Sequence, residues 1–294
     1  MRFVLDAASG LALIAAAYCL WRGRRALRGT EMMTAWSAAV LSVALGGGVC
    51  VLTRGQLVPT GVHGHLWYGV AVLFLTPLIC VLGARKPISR VWPWFVVLPM
   101  IGGLEIPTLA TLWRAGADAP LRLETPTLVG FGLVLAMGAG NYLITPFRLA
   151  AALYAAGVAL LVVPGTDAGL DGPAQMPASL GLSAVCLSLV VVFVQATRSG
   201  RRSRAPHQRR WADFRDTFGG VWAKRVMDRI NWTAREEGWP ARMEFAGLVW
   251  TDDDVADDDR RKTLQRLQQL DRWLLKRFVD DAWLNARCEN GEST

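Results

Sequence analysis

Charged residues are scarce in this chain of 294 residues, since they make up 19% of the sequence while hydrophobic residues make up 52%. An average soluble domain is about one quarter charged, so the composition favours a membrane protein. The polar C-terminal part also lacks a P-loop, a GxSxG motif, an HExxH motif and a kinase signature. These missing motifs argue against an ATPase, a serine hydrolase, a zinc protease and a protein kinase.

Cysteine is rare as well, and its spacing excludes the common cysteine-based sites. Cys19, Cys50, Cys80 and Cys186 lie inside apolar runs, and Cys288 lies near the C-terminus. None of them forms a CxxC pair, which argues against a zinc ribbon and a thioredoxin-like redox site. A free cysteine in an apolar run usually behaves as a small apolar side chain. We therefore predict no cofactor from the cysteines.

Long apolar runs fill residues 1–197 and predict membrane spans, because a membrane helix needs about 20 mostly apolar residues. Only Pro146 and Phe147 separate the fifth run from the sixth, so these two runs form either a tight turn or one broken segment. The sequence predicts an all-α, polytopic membrane protein with a seven-helix bundle and a small helical, hairpin-like C-terminal domain. The predicted spans are residues 3–21, 34–53, 66–84, 91–113, 127–145, 148–164 and 179–197.

Arginine and lysine concentrate on alternate loops, which predicts the orientation of the chain in a cytoplasmic (inner) membrane. Cytoplasmic loops carry an excess of these residues. With an outside N-terminus, the outside segments hold only Arg2, Arg54, Arg114 and Arg122. The same arrangement keeps the first apolar run as a helix rather than a signal peptide, and it puts the C-terminus in the cytoplasm. The inside loops then hold Arg22, Arg24, Arg25, Arg28, Arg85, Lys86, Arg90 and Arg148.

A basic linker, residues 198–210, follows the last predicted span. We predict that it lies on the anionic inner leaflet of the bilayer, where each basic residue contributes about 1 kcal/mol. The alternative is a latch between residues 201–210 and the acidic run 252–259. Nucleic acid is not a predicted partner, because most arginines flank apolar segments. The arginines assigned to the membrane surface are Arg198, Arg201, Arg202, Arg204, Arg209 and Arg210.

Residues 211–294 form the predicted cytoplasmic domain, which is rich in tryptophan. Apolar residues recur at spacings of three and four over residues 208–237 and again over 258–287, which predicts two amphipathic helices. Residues 242–250 are either a short strand or an extended loop. The two apolar stripes either pack together as a core or dock a protein partner. The residues assigned to these stripes are Trp211, Phe214, Phe218, Trp222, Leu267, Leu274 and Phe278.

Glu105 is the most informative polar residue in the apolar part, because a charged group deep in a bilayer costs about 2.5–3.5 kcal/mol. It lies between a glycine pair and Pro107 in the fourth predicted span, where three prolines predict a kinked helix packed in the bundle interior. It is either a proton, cation or ligand site, or a neutral acid hydrogen-bonded to its surroundings. Asn141 in the fifth predicted span is a second candidate, with interhelical hydrogen bonding as the alternative.

His63 and His65 lie in the stretch GVHGHLWYG and are two of only three histidines. Residues two apart point about 200° apart on a helix but to the same side of an extended chain. A shared metal or haem site therefore requires extended backbone, and zinc takes further ligands. The alternative is an ordinary outer loop that enters a helix. His207 is predicted on the opposite face, so a transmembrane bis-histidine haem is disfavoured.

The sequence favours a non-enzymatic membrane protein that anchors, senses or assists assembly, with a C-terminal domain that docks a partner protein. The alternative is a transporter, a membrane-embedded enzyme or a redox subunit with a site near Glu105, His63 and His65. A cavity that converges on Glu105 favours the alternative, whereas a dry and packed Glu105 opposes it.

Overall fold

The computed structural model describes residues 2–116, 119–166, 175–199, 206–252 and 254–287. The chain is all-α apart from one short hairpin. The described residues of the apolar part form eight α-helices, of which the fourth and fifth are continuous through one π-helical turn. Their bounds are α1 Arg2–Gly23, α2 Met33–Arg54, α3 Val62–Leu82, α4 Ile88–Trp92, α5 Leu98–Ala115, α6 Thr125–Gly140, α7 Arg148–Val162 and α8 Gln175–Ser199.

Five helical stretches in the described part of the chain are long and apolar enough to cross a membrane, which fits a membrane protein. They are Met33–Arg54, Val62–Leu82, Ile88–Ala115, Arg148–Gly165 and Met176–Arg198. Helix α6 is apolar but shorter, and so is the stretch Ala7–Gly23 within the 22 residues of α1. Large apolar side chains are exposed around the bundle, as lipid contact requires. Examples from five helices are Leu11, Leu41, Trp94, Leu133 and Leu187.

Helix α3 is the centre of the bundle, because it contacts α2, α5, α6 and α7. It is apolar on all sides, as expected of a helix surrounded by protein. Trp67, Tyr68, Phe74 and Leu75 are almost completely buried along it. The hydroxyl of Tyr154 on α7 donates a 2.6 Å hydrogen bond to the carbonyl of Phe74. The bundle core is therefore organised around this one helix.

The helix from Ile88 to Ala115 does not lie in the bundle interior, so this expectation from its prolines was wrong. Only 11% of the apolar stretch of this helix is buried. The proline at position 93 begins a π-helical turn, and Pro107 lies within α5. One narrow face packs on α3, where the Tyr68 hydroxyl donates a 2.7 Å hydrogen bond to the Leu104 carbonyl. The opposite face is exposed, which suits contact with lipid.

The C-terminal segment, residues 206–287, contains three helices and a hairpin: α9 Pro206–Glu236, β1 Ala241–Glu244, β2 Gly247–Trp250, α10 Asp257–Leu275 and α11 Asp281–Asn285. Helix α9 breaks at Gly219, whose φ of 78° is left-handed. The strands pair antiparallel, with Ala241 opposite Trp250. The helix predicted over 258–287 ends at Leu275 instead, and residues 276–280 turn back toward the bundle.

The hydrophobic core of the C-terminal segment is continuous with one end of the bundle. Met32, Ile79, Val81 and Val97 from the apolar helices and their turns belong to the same buried cluster as the aromatic residues of α9. The turns 24–32, 83–87 and 141–147 all lie at this end, and each one hydrogen-bonds the C-terminal segment. Helix α8 also ends toward it. We name this end of the bundle the docking face.

Candidate functional site

Asn141 makes several of the hydrogen bonds that join the docking face to the C-terminal segment. It lies just after α6, not inside a span as predicted, and it is 4% exposed. Its amide nitrogen donates to the Phe218 carbonyl at 3.2 Å, and its amide oxygen accepts from the Val221 nitrogen at 2.8 Å. Its backbone carbonyl accepts from the Gly220 nitrogen at 2.7 Å. Asn141 therefore satisfies the backbone groups that the break in α9 frees.

The glycine pair Gly219–Gly220 makes this contact possible. A Cβ atom at Gly219 would lie 2.3 Å from the Asn141 amide nitrogen, and one at Gly220 would lie 2.3 Å from a carbon of Ile144. Both distances are far below van der Waals contact. Beside the pair, the Tyr142 hydroxyl donates a 3.0 Å hydrogen bond to the Thr217 carbonyl. The turn 141–147 and the break in α9 thus fit each other closely.

The turns 24–32 and 83–87 hold the chain between α10 and α11. Thr30 and Val279 form an isolated antiparallel bridge. The Glu31 nitrogen donates to the Phe278 carbonyl at 2.9 Å, and the Lys86 nitrogen donates to the Arg277 carbonyl at 2.7 Å. These backbone hydrogen bonds join two turns of the bundle to one short segment of the C-terminal chain.

The aromatic residues predicted as apolar stripes meet at the docking face. Phe278 packs edge-on against Phe214, Phe218 and Trp222, with ring centroids 5.0–5.4 Å apart. The Trp222 indole nitrogen donates a 3.0 Å hydrogen bond to the Val81 carbonyl of α3. Trp211, Leu267 and Leu274 are also buried in this cluster. The stripes are therefore core that binds the bundle of the same chain, and they are not free to dock a separate protein.

A chamber of about 540 Å³ lies between the bundle and the C-terminal segment. This volume falls in the range of small-molecule sites. Its walls are mostly apolar and come from α1, α2, α3, α7 and α8, as Cys19, Ala35, Phe74, Ala151 and Ser188 illustrate. Its other end is polar and is lined by residues of the C-terminal segment, Asp213, Asp216, Thr217 and Arg287. The chamber is thus apolar inside and charged at one end.

Arg210 was assigned to the membrane surface, and this assignment is wrong. Its side chain is 4% exposed and forms an ion pair with Asp271 of α10, with Nε 2.8 Å from the carboxylate oxygen. Burial raises the pKa of Asp271 to about 6, although Arg210 opposes the shift. The pair joins α9 to α10 inside the C-terminal segment, because a guanidinium and a carboxylate are tolerated in a core only when they are paired.

The other arginines of the linker have different surroundings. Arg198 is exposed at the end of α8, and Arg209 is half-buried at the start of α9. Arg201, Arg202 and Arg204 lie outside the described residues. The proposed latch to the acidic run 252–259 gains no support within the described residues. Asp259 instead pairs with Lys262 one turn along its own helix, at 3.6 Å.

Glu105 is half-buried where α5 packs on α3. Its carboxylate oxygen lies 3.5 Å from the position that a Cβ would take at Gly69 of α3, which is ordinary van der Waals distance. Thr108, one turn along α5, interacts with the carboxyl group. Its buried hydroxyl nevertheless has no partner with good hydrogen-bond geometry among the described residues. Glu105 does not line the chamber described above.

His63 and His65 are buried in the first turn of α3, at 8% and 4% exposure. The Nε2 atom of His63 lies 3.3 Å from the Val58 carbonyl, and that of His65 lies 3.1 Å from the Ala119 carbonyl. Helical backbone turns the two imidazoles apart, so they do not share a metal ion. No group of three metal-ligating side chains occurs in the described part of the chain. The stretch GVHGHLWYG is therefore helical from Val62 onward and forms the beginning of α3, instead of the extended backbone that a shared site requires.

His65 is nevertheless unusual, because one of its ring nitrogens is buried and has no hydrogen-bond partner among the residues that the structure describes. A carbonyl oxygen only accepts, so Nε2 carries the proton in the contact with Ala119. Nδ1 is then a buried atom without a hydrogen bond. His65 is one turn before Gly69 on the same helical face, and Gly69 faces Glu105. His65 therefore lies one helical turn along α3 from the point where Glu105 approaches that helix.

Comparison with protein-family models, with characterised proteins and with solved structures gives no match. The docking face and the chamber therefore carry the functional argument. Sequence reasoning missed the residues that build the docking face, above all Gly219, Thr30 and Lys86. A signal for Gly219 was present, since two adjacent glycines inside a helical pattern commonly mark a break.

Proposed function

We propose that the protein is a non-enzymatic membrane protein in which a seven-span bundle, residues 1–197, holds a cytoplasmic domain, residues 211–294, against its inner face. A basic linker, residues 198–210, connects the two. The bundle and the domain act together as a sensing or assembly subunit. The observation that carries this proposal is the docking face, where three separate turns of the bundle bind the C-terminal segment. A change in helix packing at those turns would reach the domain directly.

The positions of these turns support seven passes. The turns 24–32, 83–87 and 141–147 lie at one end of the bundle. Between one turn and the next, the chain runs to the other end of the bundle and back. Helix α1, with 22 residues, and helix α6, with 16, complete the alternation. A span shorter than the bilayer is tolerated through local thinning of the bilayer or through snorkelling side chains. In this proposal α6 is such a span.

The charges support a cytoplasmic position of the docking face. Arg22, Arg24, Arg25 and Arg28 cluster beside the turn 24–32, and the guanidinium of Arg24 stacks on Trp36 at 5.3 Å. Such clusters favour the cytoplasmic side and an anionic inner leaflet. The bilayer of the inner membrane is therefore one partner of this chain in the proposal.

A protein partner would approach the surface of the domain that docking leaves open. Trp232 and Trp273 remain 45% and 53% exposed there. Arg229 and Arg277 stack on them at 4.3 and 5.0 Å. Tryptophan and arginine are enriched in the energetic centres of protein interfaces. In this proposal these pairs replace the buried stripes as the contact with a cytoplasmic partner.

Cysteine labelling tests the number and direction of the passes. Thr60→Cys and Arg261→Cys introduce thiols at two exposed positions on opposite sides, in a background without native cysteines. An impermeant maleimide should label position 60 on intact cells, and position 261 only after permeabilisation. The reverse pattern would contradict the orientation. Equal labelling of both positions on intact cells would contradict an odd number of passes between position 60 and position 261.

A second function, proton or cation translocation, is favoured by the half-buried carboxyl group of Glu105 in an apolar helix, where Thr108 one turn along α5 interacts with it. Ionisable residues inside membrane proteins often mark ion pathways. In this candidate Glu105 carries the translocated charge.

An assay with dye-loaded vesicles and an imposed pH gradient distinguishes the two proposed functions. The leading proposal predicts that wild-type protein collapses an imposed pH gradient no faster than empty vesicles do. The second candidate predicts that wild-type protein collapses the pH gradient faster than empty vesicles do. Glu105→Gln should slow this collapse at least tenfold, because glutamine keeps the shape of the side chain but cannot exchange a proton. The matched control is Glu124→Gln, which changes an exposed carboxyl outside the helices. Wild-type leakage at the level of empty vesicles would exclude the second candidate for protons.

A further inference from the structure

The chamber between the bundle and the C-terminal segment is placed to receive a lipid from the inner leaflet. Helices α7 and α8 touch backbone to backbone at Gly157 and Gly181, where a Cβ on Gly157 would lie 2.8 Å from the Gly181 carbonyl oxygen. Toward the docking face both helices line the chamber instead. Val192 and Ala196 of α8 line it and are also exposed. The chamber is therefore open beside the last turns of α8.

The depth of the chamber matches one leaflet. Along α8 its lining runs from Ser188 to Ala196, which is about 12 Å at 1.5 Å per residue. Half of the hydrocarbon core of a bilayer is about 15 Å. At the deep end the Tyr154 hydroxyl is bound to the Phe74 carbonyl and the Ser188 hydroxyl to the Val185 carbonyl, so both are already satisfied. The deep part thus suits an acyl chain.

The shallow end carries charges of both signs. Arg287 and Asp213 form a 2.7 Å ion pair whose side chains are 23% and 38% exposed. Asp216 is close by and pairs with Arg215 at 2.7 Å. A guanidinium binds phosphate well, and a carboxylate binds an ammonium group. Two carboxylates and one guanidinium at the chamber mouth complement a head group that has both a phosphate and an ammonium.

We propose that the chamber binds one phospholipid of the inner leaflet, with an acyl chain between α1, α2, α3, α7 and α8 and a zwitterionic phosphate–ammonium head group at Asp213, Asp216 and Arg287. This inference rests on the proposed membrane placement and adds a ligand to it. The C-terminal segment lines the mouth of the chamber, so the lipid contacts both the bundle and the domain. Lipid occupancy and docking of the domain are therefore thermodynamically coupled.

A photoactivatable lipid tests the site in the full chain. The probe is phosphatidylethanolamine with a diazirine at the end of one acyl chain, in phosphatidylcholine vesicles, and the labelled peptides are identified by mass spectrometry. Labelling is expected in 150–154 and 188–193, and excess unlabelled phosphatidylethanolamine should compete. Ala151→Phe fills the chamber and should lower this labelling at least fivefold. Ala152→Phe, the next residue on the exposed face of α7, should leave it unchanged.

The head group is tested separately, because Ala151→Phe could also disturb packing. Arg287→Gln should lower labelling at least threefold, and a diacylglycerol probe with the same acyl chain should label the chamber weakly. Equal labelling by both probes, or labelling that Ala151→Phe does not reduce, would overturn the phospholipid site. Protease protection of the C-terminal segment is followed in each sample. Lost labelling with a docked segment refutes the lipid site alone, whereas an undocked wild-type segment refutes the proposed function.

Discussion

Replacing Gly219 with alanine is expected to release the C-terminal segment from the docking face. The backbone at Gly219 has φ 78° and ψ −177°, a conformation that is essentially restricted to glycine. An alanine Cβ would also lie 2.3–2.7 Å from the side chain of Asn141. Backbone strain of about 1–3 kcal/mol and the loss of buried hydrogen bonds at about 1–3 kcal/mol act together. We expect docking to weaken by roughly 2–6 kcal/mol.

Limited proteolysis of the protein in detergent measures this loss, because an undocked segment exposes its aromatic core. Gly238→Ala is the matched control, since Gly238 also has a positive φ of 65° but has nothing within 4 Å of its Cβ position. Asn141→Ala removes the same hydrogen bonds from the bundle side and should have a similar but smaller effect. Proteolysis of Gly219→Ala at the rate of the Gly238→Ala control would contradict the role of the glycine break.

Breaking the buried pair of Arg210 and Asp271 is expected to be equally damaging. Arg210→Met leaves the Asp271 carboxyl buried without its cation, and removal of one partner from a buried pair costs about 3–5 kcal/mol. Replacing both residues, as Arg210→Met with Asp271→Leu, should recover most of this loss, because an apolar pair of similar size needs no compensation. Urea titration of the C-terminal segment, monitored by protease sensitivity, compares the free energies of unfolding.

The pH dependence of the single variant follows from the pKa of Asp271. Burial raises that pKa to about 6, above the ordinary value of 3.8, so the folded segment binds a proton more tightly than the unfolded chain does. Through this group, stability therefore falls as the pH rises from about 4 to about 6. Without Arg210 the pKa rises further, so Arg210→Met should lose most stability at pH 7–8 and regain part of it at pH 5. An equal loss at both pH values would contradict a charged Asp271 as the cause.

The positions of the helices could be predicted from the sequence because the signals are local. Every predicted span has a helix at its place, and α6 and α7 are separate helices with a turn at 141–147 between them. The apolar spacing of Phe214, Phe218 and Trp222 likewise predicted buried residues. In these cases the pattern lies within one element and does not depend on what that element packs against.

The contacts between elements could not be predicted in the same way. In the sequence, Asn141 is one more polar residue in an apolar run. Only folding of the chain brings it to the break in α9 at Gly219. Arg210 looks like its neighbours in a basic run, but its partner Asp271 comes from another helix. Three prolines predicted a packed helix, whereas α5 uses one narrow face and exposes the rest. Each of these errors concerns how an element packs against parts of the chain that are far away in the sequence.

A disulfide between turn 24–32 and the C-terminal segment tests the central claim, that the domain is held on the docking face, most directly. Thr30 and Val279 are directly paired across an antiparallel bridge, where Cα atoms lie about 4.5–5.5 Å apart, within the range of a disulfide. In a cysteine-free background, Thr30→Cys with Val279→Cys should form an intramolecular disulfide in native membranes under mild oxidation. Thr30→Cys with Asp258→Cys, at the exposed start of α10, should not. Absence of the disulfide in the first pair, or equal yields in both, would contradict a docked domain.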